Sequence, residues 1–290
     1  MIAILYRFFC FLGIHLPLPV SYFIARRIAE LRYIFLPSLR RIMRKNMKVV
    51  LKYREKIYGE KFDYSLLKEK VKQTYYYFAK YMVDFFNLPK WERKDVERKV
   101  KVENISYLDE ALSYGNGVIV LTAHLGNWEL AGVVTSLLGY KINAIAIPYR
   151  GPSITRIYKK RREEKGVKVI LTGENPKKIL KALKSNEIVA ILGDRLFTEK
   201  GMEVEFMGRK TYFPRGPATL AVKTKAKFLP GFLVMEGNSY RLFFGKIIEV
   251  PENMEEKEKI RYLVEKGAKE IEKNVLLYPE QWLNFSPMWD

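Results

Sequence analysis

From residue 100 onward, short apolar runs alternate with segments of helical periodicity. The run at residues 118–122 has no charged side chain, which is typical of a central strand buried on both faces. Strands are predicted at residues 102–105, 118–122, 142–147, 167–171 and 188–192, and helices at residues 106–114, 127–138, 153–165 and 177–184. This alternation predicts an α/β domain whose largely parallel central sheet is flanked by helices.

The first 85 residues have a different pattern, because helical spacing dominates and no strand-like run interrupts it. Helices are predicted at residues 21–58 and 64–86, the second from apolar side chains such as Leu67, Val71 and Tyr75. Later strands are predicted at residues 204–206, 228–234 and 240–244, and a closing helix at residues 255–275. We therefore expect a helical, membrane-anchoring part at residues 1–85 and an α/β domain at residues 86–290.

The chain is strongly basic, with 52 Lys and Arg against 32 Asp and Glu and a net charge of +20. Such a charge indicates partners rather than fold, and anionic membranes, nucleic acids, acidic proteins and acidic substrates are all candidates. Residues 1–60 hold twelve Lys and Arg but only three Glu, and they begin with an apolar segment. An apolar start followed by a basic helix favours attachment to an anionic membrane over binding to nucleic acid.

The apolar start is too short to be a clear membrane span. Residues 1–16 fall short of the roughly 20 apolar residues that a spanning helix needs, and Arg7 interrupts them. Pro17 and Pro19 then break the helix. An interfacial or re-entrant anchor is therefore favoured over a true span or a cleaved signal peptide. The single cysteine, Cys10, cannot form an internal disulfide, which fits a reducing compartment.

The chain has two histidines, and one of them follows the predicted central strand. His15 lies in the apolar anchor, whereas His124 stands at a strand end, where open α/β sheets bind ligands. On one continuous helix, His124 and Glu129 would lie about 140° apart. If Gly126 instead turns the chain, Glu129 can hold one ring nitrogen while the other takes a proton from a hydroxyl. A structural histidine satisfied by its neighbours remains the alternative.

Other catalytic chemistries lack their residues. A metal site is not indicated, because there is no second His or Cys near His124 in the sequence for a ligand set. A covalent serine enzyme is not indicated either, because no Ser lies in a G-x-S-x-G elbow. The hydroxyl of an acceptor molecule is therefore the expected nucleophile, and no metal or redox cofactor is expected.

The sequence around His124, AHLGNWEL, resembles the bacterial lipid A biosynthesis acyltransferases, the lauroyl and myristoyl transferases. They belong to the lysophospholipid acyltransferase superfamily, whose motif is His-x-x-x-x-Asp/Glu. Four further blocks are similar in order and spacing: LRRIMRKNMKVV, IPYRGPSI, the region from ILGDRLF to KAKFLP, and PEQWLNFSPMW. Asp194-Arg195 and the GMEVEF block look particularly like the actinobacterial phosphatidylinositol mannoside acyltransferases.

The resemblance implies roles for individual residues. His124 would be the general base, Glu129 its orienting partner, and Glu203 a third group at the active site. Arg150 would stabilise the oxyanion or bind a phosphate, since guanidinium offers a fixed fork of donors. The remaining substrate-binding candidates are Asn127, Trp128, Asp194 and Arg195; the first two could instead shape the pocket, and the last two could form a structural ion pair.

The resemblance also implies the reaction. It is an O-acyl transfer from a thioester of acyl carrier protein or coenzyme A to a hydroxyl of a glycolipid such as a lipid A precursor, without a covalent intermediate. A phosphatidylinositol mannoside, another glycolipid or a lysophospholipid is the alternative acceptor. A non-catalytic basic protein that binds membranes or nucleic acid is the alternative of another class. The expected place is the cytoplasmic face of the inner membrane, and the basic residues 156–162 are a candidate docking face.

Overall fold

The computed structural model describes residues 11–13, 15–149, 151–196 and 201–289. The predictions for Arg7, Cys10 and Arg150 therefore concern residues outside the described parts of the chain. Among the helices that the structure does describe, none combines the length and the hydropathy that crossing a bilayer requires.

Three helices form the N-terminal part: α1 (Leu18–Phe35), α2 (Pro37–Tyr58) and α3 (Tyr64–Asn87). The predicted helical stretch at residues 21–58 is divided at Leu36, because a helix cannot continue unbroken through Pro37. Helix α2 ends at Gly59 in the left-handed conformation, and Asp63 caps α3 by accepting the backbone N–H of Leu66. Pro37, Gly59 and Asp63 therefore determine where α2 begins, where it ends and where α3 begins.

Helix α1 carries an exposed apolar stripe. Its members recur every three or four residues along one side of the helix, and Phe23 and Phe35 are 63% and 71% exposed. The stripe consists of Val20, Phe23, Ile24, Ile28, Leu31, Ile34 and Phe35. A contiguous exposed apolar stripe of this kind marks a contact surface for a lipid or a protein.

A seven-stranded sheet forms the centre of the rest of the chain, with strand order β1-β9-β8-β2-β5-β3-β4. Its strands are β1 (Val100–Glu103), β2 (Val118–Thr122), β3 (Ile142–Ala146), β4 (Val167–Leu171), β5 (Ile188–Leu192), β8 (Lys227–Glu236) and β9 (Ser239–Phe244). Among the described strands of this sheet, only β8 and β9 pair in antiparallel orientation. The prediction of a largely parallel central sheet flanked by helices is confirmed.

Strand β2 lies between β8 and β5, with Ile119 aligned to Phe228 and Val189. Four of its five residues are buried, as its apolar sequence predicted. Helices cover both faces of the sheet: α4 (Arg93–Lys99), α5 (Ile105–Ser113), α6 (Trp128–Leu137), α7 (Pro152–Glu163), α8 (Lys177–Lys184), α9 (Gly216–Thr224) and α10 (Glu256–Leu277). One apolar core contains Leu130 of α6, and the other contains Ile271 of α10.

Two elements were missed by the sequence analysis. The predicted strand at residues 204–206 is part of β6 (Gly201–Phe206), which forms an antiparallel hairpin with β7 (Arg209–Pro214) outside the main sheet. Along residues 210–213 burial alternates, with Thr211 and Phe213 buried and Lys210 and Tyr212 exposed, which is the period of a half-buried strand. Helix α9 then begins at Gly216, where Pro217 occupies an early helical position that tolerates proline.

The boundary placed after residue 85 stays a prediction. Helix α3 belongs to both parts, because Leu67 and Val71 pack with α1 and α2 whereas Tyr81 and Phe85 pack in the core beneath the sheet. The helix therefore connects the apolar surface of α1 to the carboxyl edge of β2.

Candidate active site

His124 lies in the loop that follows β2, two residues beyond the strand. Its carbonyl oxygen accepts a hydrogen bond from the backbone N–H of Leu283 (2.7 Å). Gly126 has a φ of 62°. A Cβ at Gly126 would lie 2.0 Å from the carbonyl oxygen of Leu233, so no other residue fits without movement of β8. The prediction that Gly126 turns the chain after His124 is confirmed.

Asp194, in the turn after β5, holds the imidazole of His124. Its Oδ1 lies 2.8 Å from Nδ1 of His124 and accepts the backbone N–H of the same residue at 3.1 Å. Its Oδ2 accepts the indole N–H of Trp282 at 2.9 Å. This side chain is fully buried. The sequence analysis predicted that Asp194 binds substrate or forms a structural ion pair. The structure instead shows Asp194 as the hydrogen-bonding partner of His124.

The surroundings of Asp194 decide its charge. Burial by itself raises the pKa of the carboxyl group, but His124, Arg195 and the indole N–H of Trp282 outweigh burial and lower the pKa of Asp194 to about 2. The carboxylate is therefore ionised at neutral pH and can only accept hydrogen bonds. The proton of a neutral His124 consequently lies on Nδ1, and the lone pair lies on Nε2.

Glu129 has a different partner from the one expected. It lies in the first turn of α6, and both of its carboxylate oxygens accept from the guanidinium of Arg162, at 2.5 and 2.6 Å. The carboxylate at Nδ1 of His124 is thus that of Asp194, and the prediction that Glu129 holds this nitrogen is corrected. Burial opposes the charge of Arg162, but Glu129 more than compensates and raises the pKa of the guanidinium.

The sequence contained a signal for this buried pair that was not used. Residues 153–165 are so basic that Arg162 was assigned to a solvent-exposed docking face. Ile154, Tyr158 and Arg162 recur every four residues, however, and therefore lie on one side of α7. That side packs against the sheet, and Tyr158 and Arg162 are its buried members. Of the predicted docking face, Arg156 and Lys160 are exposed, whereas Ile157, Lys159 and Arg161 are half-buried.

A cavity of about 870 Å³ opens beside His124. It lies at the carboxyl ends of the central strands, with Ile145 and Ala146 of β3 and Ile191 and Leu192 of β5 in its wall. The polar or charged side chains in the described wall include His124, Glu129, Arg162 and Arg195, and most of the remaining wall is apolar. A large apolar cavity with a few converging polar groups is the usual form of a site for a small or lipid-like ligand.

Two of the predicted substrate-binding residues form part of this wall. The indole of Trp128 stacks on Tyr81, with ring centroids 4.4 Å apart, and meets the ring of His124 edge-on at 4.9 Å. Arg195 donates to the backbone carbonyl of Leu283 through one terminal nitrogen. Its Nε is buried and has no hydrogen-bond partner among the described residues. The cavity therefore contains an arginine with an unused N–H donor.

Asn127 lies behind the cavity rather than in its described wall. It caps α6 by accepting the backbone N–H of Leu130 (3.0 Å), and it donates to Oδ2 of the buried Asp84 (3.1 Å). Asp84 also accepts the hydroxyls of Tyr22 (2.6 Å) and Tyr240 (2.8 Å). Burial raises the pKa of this carboxyl. This cluster was not predicted from the sequence, and it joins α1, α3, β9 and the loop that carries His124.

The remaining predicted residue, Glu203, is placed elsewhere. It lies on β6 and forms an ion pair with Lys210 of β7 (2.9 Å), with 46% of its side chain exposed. It is not among the described residues that line the cavity. Within the described parts of the chain, no group of three or more His, Cys, Asp and Glu side chains is arranged to hold a metal ion.

Comparison with known proteins identifies the family. The sequence profile described as bacterial lipid A biosynthesis acyltransferase matches residues 1–290. The chain belongs to this family. The resemblance that the motifs indicated is thereby confirmed, and the protein is an acyltransferase. The alternative of a non-catalytic binding protein is set aside.

Within the lipid A acyltransferase family, the chain is similar to two mycobacterial enzymes. It is 28% identical over 216 residues to a phosphatidylinositol mannoside acyltransferase of Mycolicibacterium smegmatis, covering 73% of this chain and 69% of the relative. It is 26% identical over 218 residues to the phosphatidylinositol mannoside acyltransferase of Mycobacterium tuberculosis, covering 73% of this chain and 67% of the relative. Both relatives carry the activity that the GMEVEF block indicated.

Proposed function

We propose that this acyltransferase moves a fatty acyl group from a thioester to a hydroxyl of a glycolipid, with His124 as the general base. The observation that carries the proposal is the His124–Asp194 contact at the wall of a largely apolar cavity. An ionised Asp194 fixes the proton of His124 on Nδ1, so the lone pair that can accept a proton is on Nε2. His124 lines the cavity in which we place the acyl chain.

The reaction follows from these positions. Nε2 of His124 takes the proton of the acceptor hydroxyl as the oxygen attacks the thioester carbonyl. The resulting tetrahedral intermediate carries a negative oxygen, which the N–H groups of Arg195 stabilise. The intermediate then expels the thiolate, which takes the proton back from the imidazolium. Asp194 stabilises that imidazolium throughout, and no acyl-enzyme forms.

Glu129 has a separate task in this proposal. It neutralises Arg162, and the pair holds α6 and α7 together at the cavity wall. Without the carboxylate, the buried guanidinium would lack a counter-charge, which is far costlier than losing an exposed ion pair. Arg150 keeps, as a proposal, the role at the oxyanion or a phosphate that the resemblance assigns to it. Glu203 pairs with Lys210 on the β6–β7 hairpin, so its place at the active site is proposed only for a state in which that hairpin has moved onto the cavity.

The acceptor and the donor are proposed from similarity and charge. The two mycobacterial relatives support a phosphatidylinositol mannoside as acceptor, and the family description supports a lipid A precursor. Both are anionic glycolipids, and the net charge of +20 favours encounter with them and with an acyl carrier protein or coenzyme A thioester. No metal or redox cofactor is required by this chemistry.

The proposed location is the cytoplasmic face of the inner membrane. The exposed apolar stripe of α1 supports interfacial attachment, since it is flanked by Arg26, Arg27 and other basic residues that suit anionic lipid. The helix would lie in the plane of the interface, with the carboxyl edge of β2 above it.

The direct test replaces His124. Lipids of a host that lacks its own late acyltransferases would be analysed by mass spectrometry after expression of the protein and its variants. We expect His124→Ala to abolish the added acyl group, because no other described side chain can serve as the base at that position. His15→Ala is the matched control, since His15 is exposed, its ring nitrogen contacts the backbone carbonyl of Phe11, and neither residue belongs to the cavity wall that the structure describes. Acylation that persists in His124→Ala would refute the general base.

A further inference from the structure

A second apolar pocket lies between α1 and α3, beside the active-site cavity. Its volume is about 240 Å³, larger than the engineered cavity of about 150 Å³ that holds benzene in another protein. Ala25, Ile28 and Ala29 form one wall, and Ala79 and Met82 belong to the other. We call it the α1–α3 groove.

The groove opens on the exposed stripe of α1 and adjoins the active-site cavity. Ile24 and Ile28 line the groove and also belong to the exposed stripe of α1, so the groove opens on that surface. On the opposite side, Phe78 and Met82 line the groove and the active-site cavity alike. Two side chains therefore separate the two spaces.

The groove has polar groups at one end. The hydroxyl of Tyr75, which is 1% exposed, has no hydrogen-bond partner among the described residues, although a buried hydroxyl normally has one. Arg32 lines the same end, with its guanidinium over the ring of Phe78 at 5.2 Å. A donor and a cation at the end of an apolar groove match an ester carbonyl and a phosphate at the end of an acyl chain.

The length of the groove fits a single chain. The part of helix α1 that lines the groove extends from Ser21 to Arg32, which is eleven residues or about 16 Å. Small side chains, Ala25 and Ala29 on α1 and Ala79 on α3, leave the space between the helices open. A narrow apolar groove of this length has room for part of one acyl chain but not for a folded peptide.

We propose that the α1–α3 groove binds one fatty acyl tail of the acceptor lipid, with the ester of that tail at Tyr75 and the anionic headgroup at Arg32. The inference rests on the proposed function and adds a subsite for the acceptor. The acceptor is favoured over the donor because the groove opens on the stripe that faces lipid, whereas the donor arrives on a soluble carrier. The sugar hydroxyl would reach His124 past Phe78 and Met82.

The test fills the groove and measures each substrate separately. Ala25→Phe places a ring in the groove, and Leu31→Phe is the matched control, because Leu31 is on the same helix and 54% exposed but does not line the groove. The acceptor would be the mannosylated phosphatidylinositol or the lipid A precursor, whichever is acylated, in phosphatidylcholine vesicles. The donor would be palmitoyl-coenzyme A.

We expect Ala25→Phe to raise the KM for the acceptor at least tenfold, with the KM for the donor and vesicle binding within twofold of the control. Tyr75→Phe, which removes only the hydroxyl, should raise the KM for the acceptor about fivefold. An unchanged KM for the acceptor in Ala25→Phe would overturn the proposal. A rise confined to the KM for the donor would overturn it too, because the groove would then hold the donor chain.

Failure of the groove and failure of the proposed function can be told apart. If His124→Ala retains transfer, the general base is wrong whatever the groove does. If His124→Ala is inactive while Ala25→Phe matches Leu31→Phe in every constant, only the groove assignment is wrong.

Discussion

Two buried carboxyl groups flank the loop at residues 124–127, and their pKa values are shifted in opposite directions. Asp194 meets the imidazole of His124, the guanidinium of Arg195 and an indole N–H, and its pKa falls to about 2. Asp84 meets two tyrosine hydroxyls and an amide, and burial raises its pKa. Both side chains are at most 2% exposed, so the partners and not the depth of burial set the difference.

The difference shows how the loop divides its tasks. In the proposed mechanism, Asp194 is the charged partner that sets the tautomer of His124. Asp84 has neutral hydrogen-bonding partners, with Lys80 as a nearby cation, and it accepts from Asn127, which in turn caps the helix that carries Glu129. One carboxylate therefore acts on the chemistry, whereas the other acts on position.

The largest expected effect comes from Asp194→Asn. An amide at this place can donate to Nδ1, which would move the proton of His124 to Nε2 and remove the base. A change of the same kind in a His–Asp pair of serine proteases lowers kcat by about 10⁴-fold. We expect a loss of that order in kcat, with the KM for the donor changed less than about threefold, in a steady-state acyl transfer assay.

Asp84→Asn is the matched control for that experiment. It makes the same substitution at the other buried carboxylate, and an amide can still accept from Asn127 and Tyr240 while donating to the oxygen of Tyr22. We expect kcat to stay within about tenfold of the unsubstituted protein. If the two variants lost activity equally, the division between a chemical and a positional carboxylate would not hold.

A second, smaller effect concerns stability and pH. Asp194 has a folded pKa below the ordinary value of 3.8, so its contribution is complete above pH 3.8 and is lost as the pH falls towards 2. From that shift the contribution is about 2 kcal/mol. Asp84 has a raised folded pKa, so its contribution is complete below pH 3.8 and is lost as the pH rises through the folded pKa.

These signs predict opposite trends for the two Asn variants. Urea unfolding between pH 2 and 7 would give the free energy of unfolding of each variant relative to the unsubstituted protein. The deficit of Asp194→Asn should shrink as the pH falls, and that of Asp84→Asn should shrink as the pH rises. Parallel trends would mean that the two carboxylates share one environment, contrary to their partners.

The sequence predicted the sheet and the position of His124 because both depend on local pattern. The apolar run of β2 predicts a buried strand, and the His-Leu-Gly sequence after it predicts a turn with a histidine at the strand end. Helix α7 shows the limit of such reasoning. Its many charged residues predicted a helix exposed to solvent. The four-residue spacing of Tyr158 and Arg162 is the sequence feature that indicates its buried side.

The partner of His124 was beyond sequence reasoning for a physical reason. Asp194 is 70 residues away along the chain, and it reaches His124 because β2 and β5 are neighbours in the sheet. Strand order is a tertiary property, and periodicity alone does not give it. Glu129 was preferred because it is close in sequence, but the direction of α6 takes it to Arg162. Trp282 likewise donates to Asp194 from the distant C-terminal segment, 88 residues along the chain.

The smallest expected effect comes from Glu203, a carboxylate that contrasts with both buried ones. Its ion pair with Lys210 is largely exposed, and such pairs contribute about 0–1 kcal/mol. We therefore expect Glu203→Gln to leave the melting temperature nearly unchanged and kcat within about twofold, in the same transfer assay as Asp194→Asn. The resemblance to the mannoside acyltransferases assigns this position to the active site, so a loss above a hundredfold with unchanged stability would mean that the β6–β7 hairpin moves onto the cavity when substrate binds. The exposed position predicts the smaller effect, because a solvated carboxylate paired with a lysine cannot tune a buried imidazole across the fold.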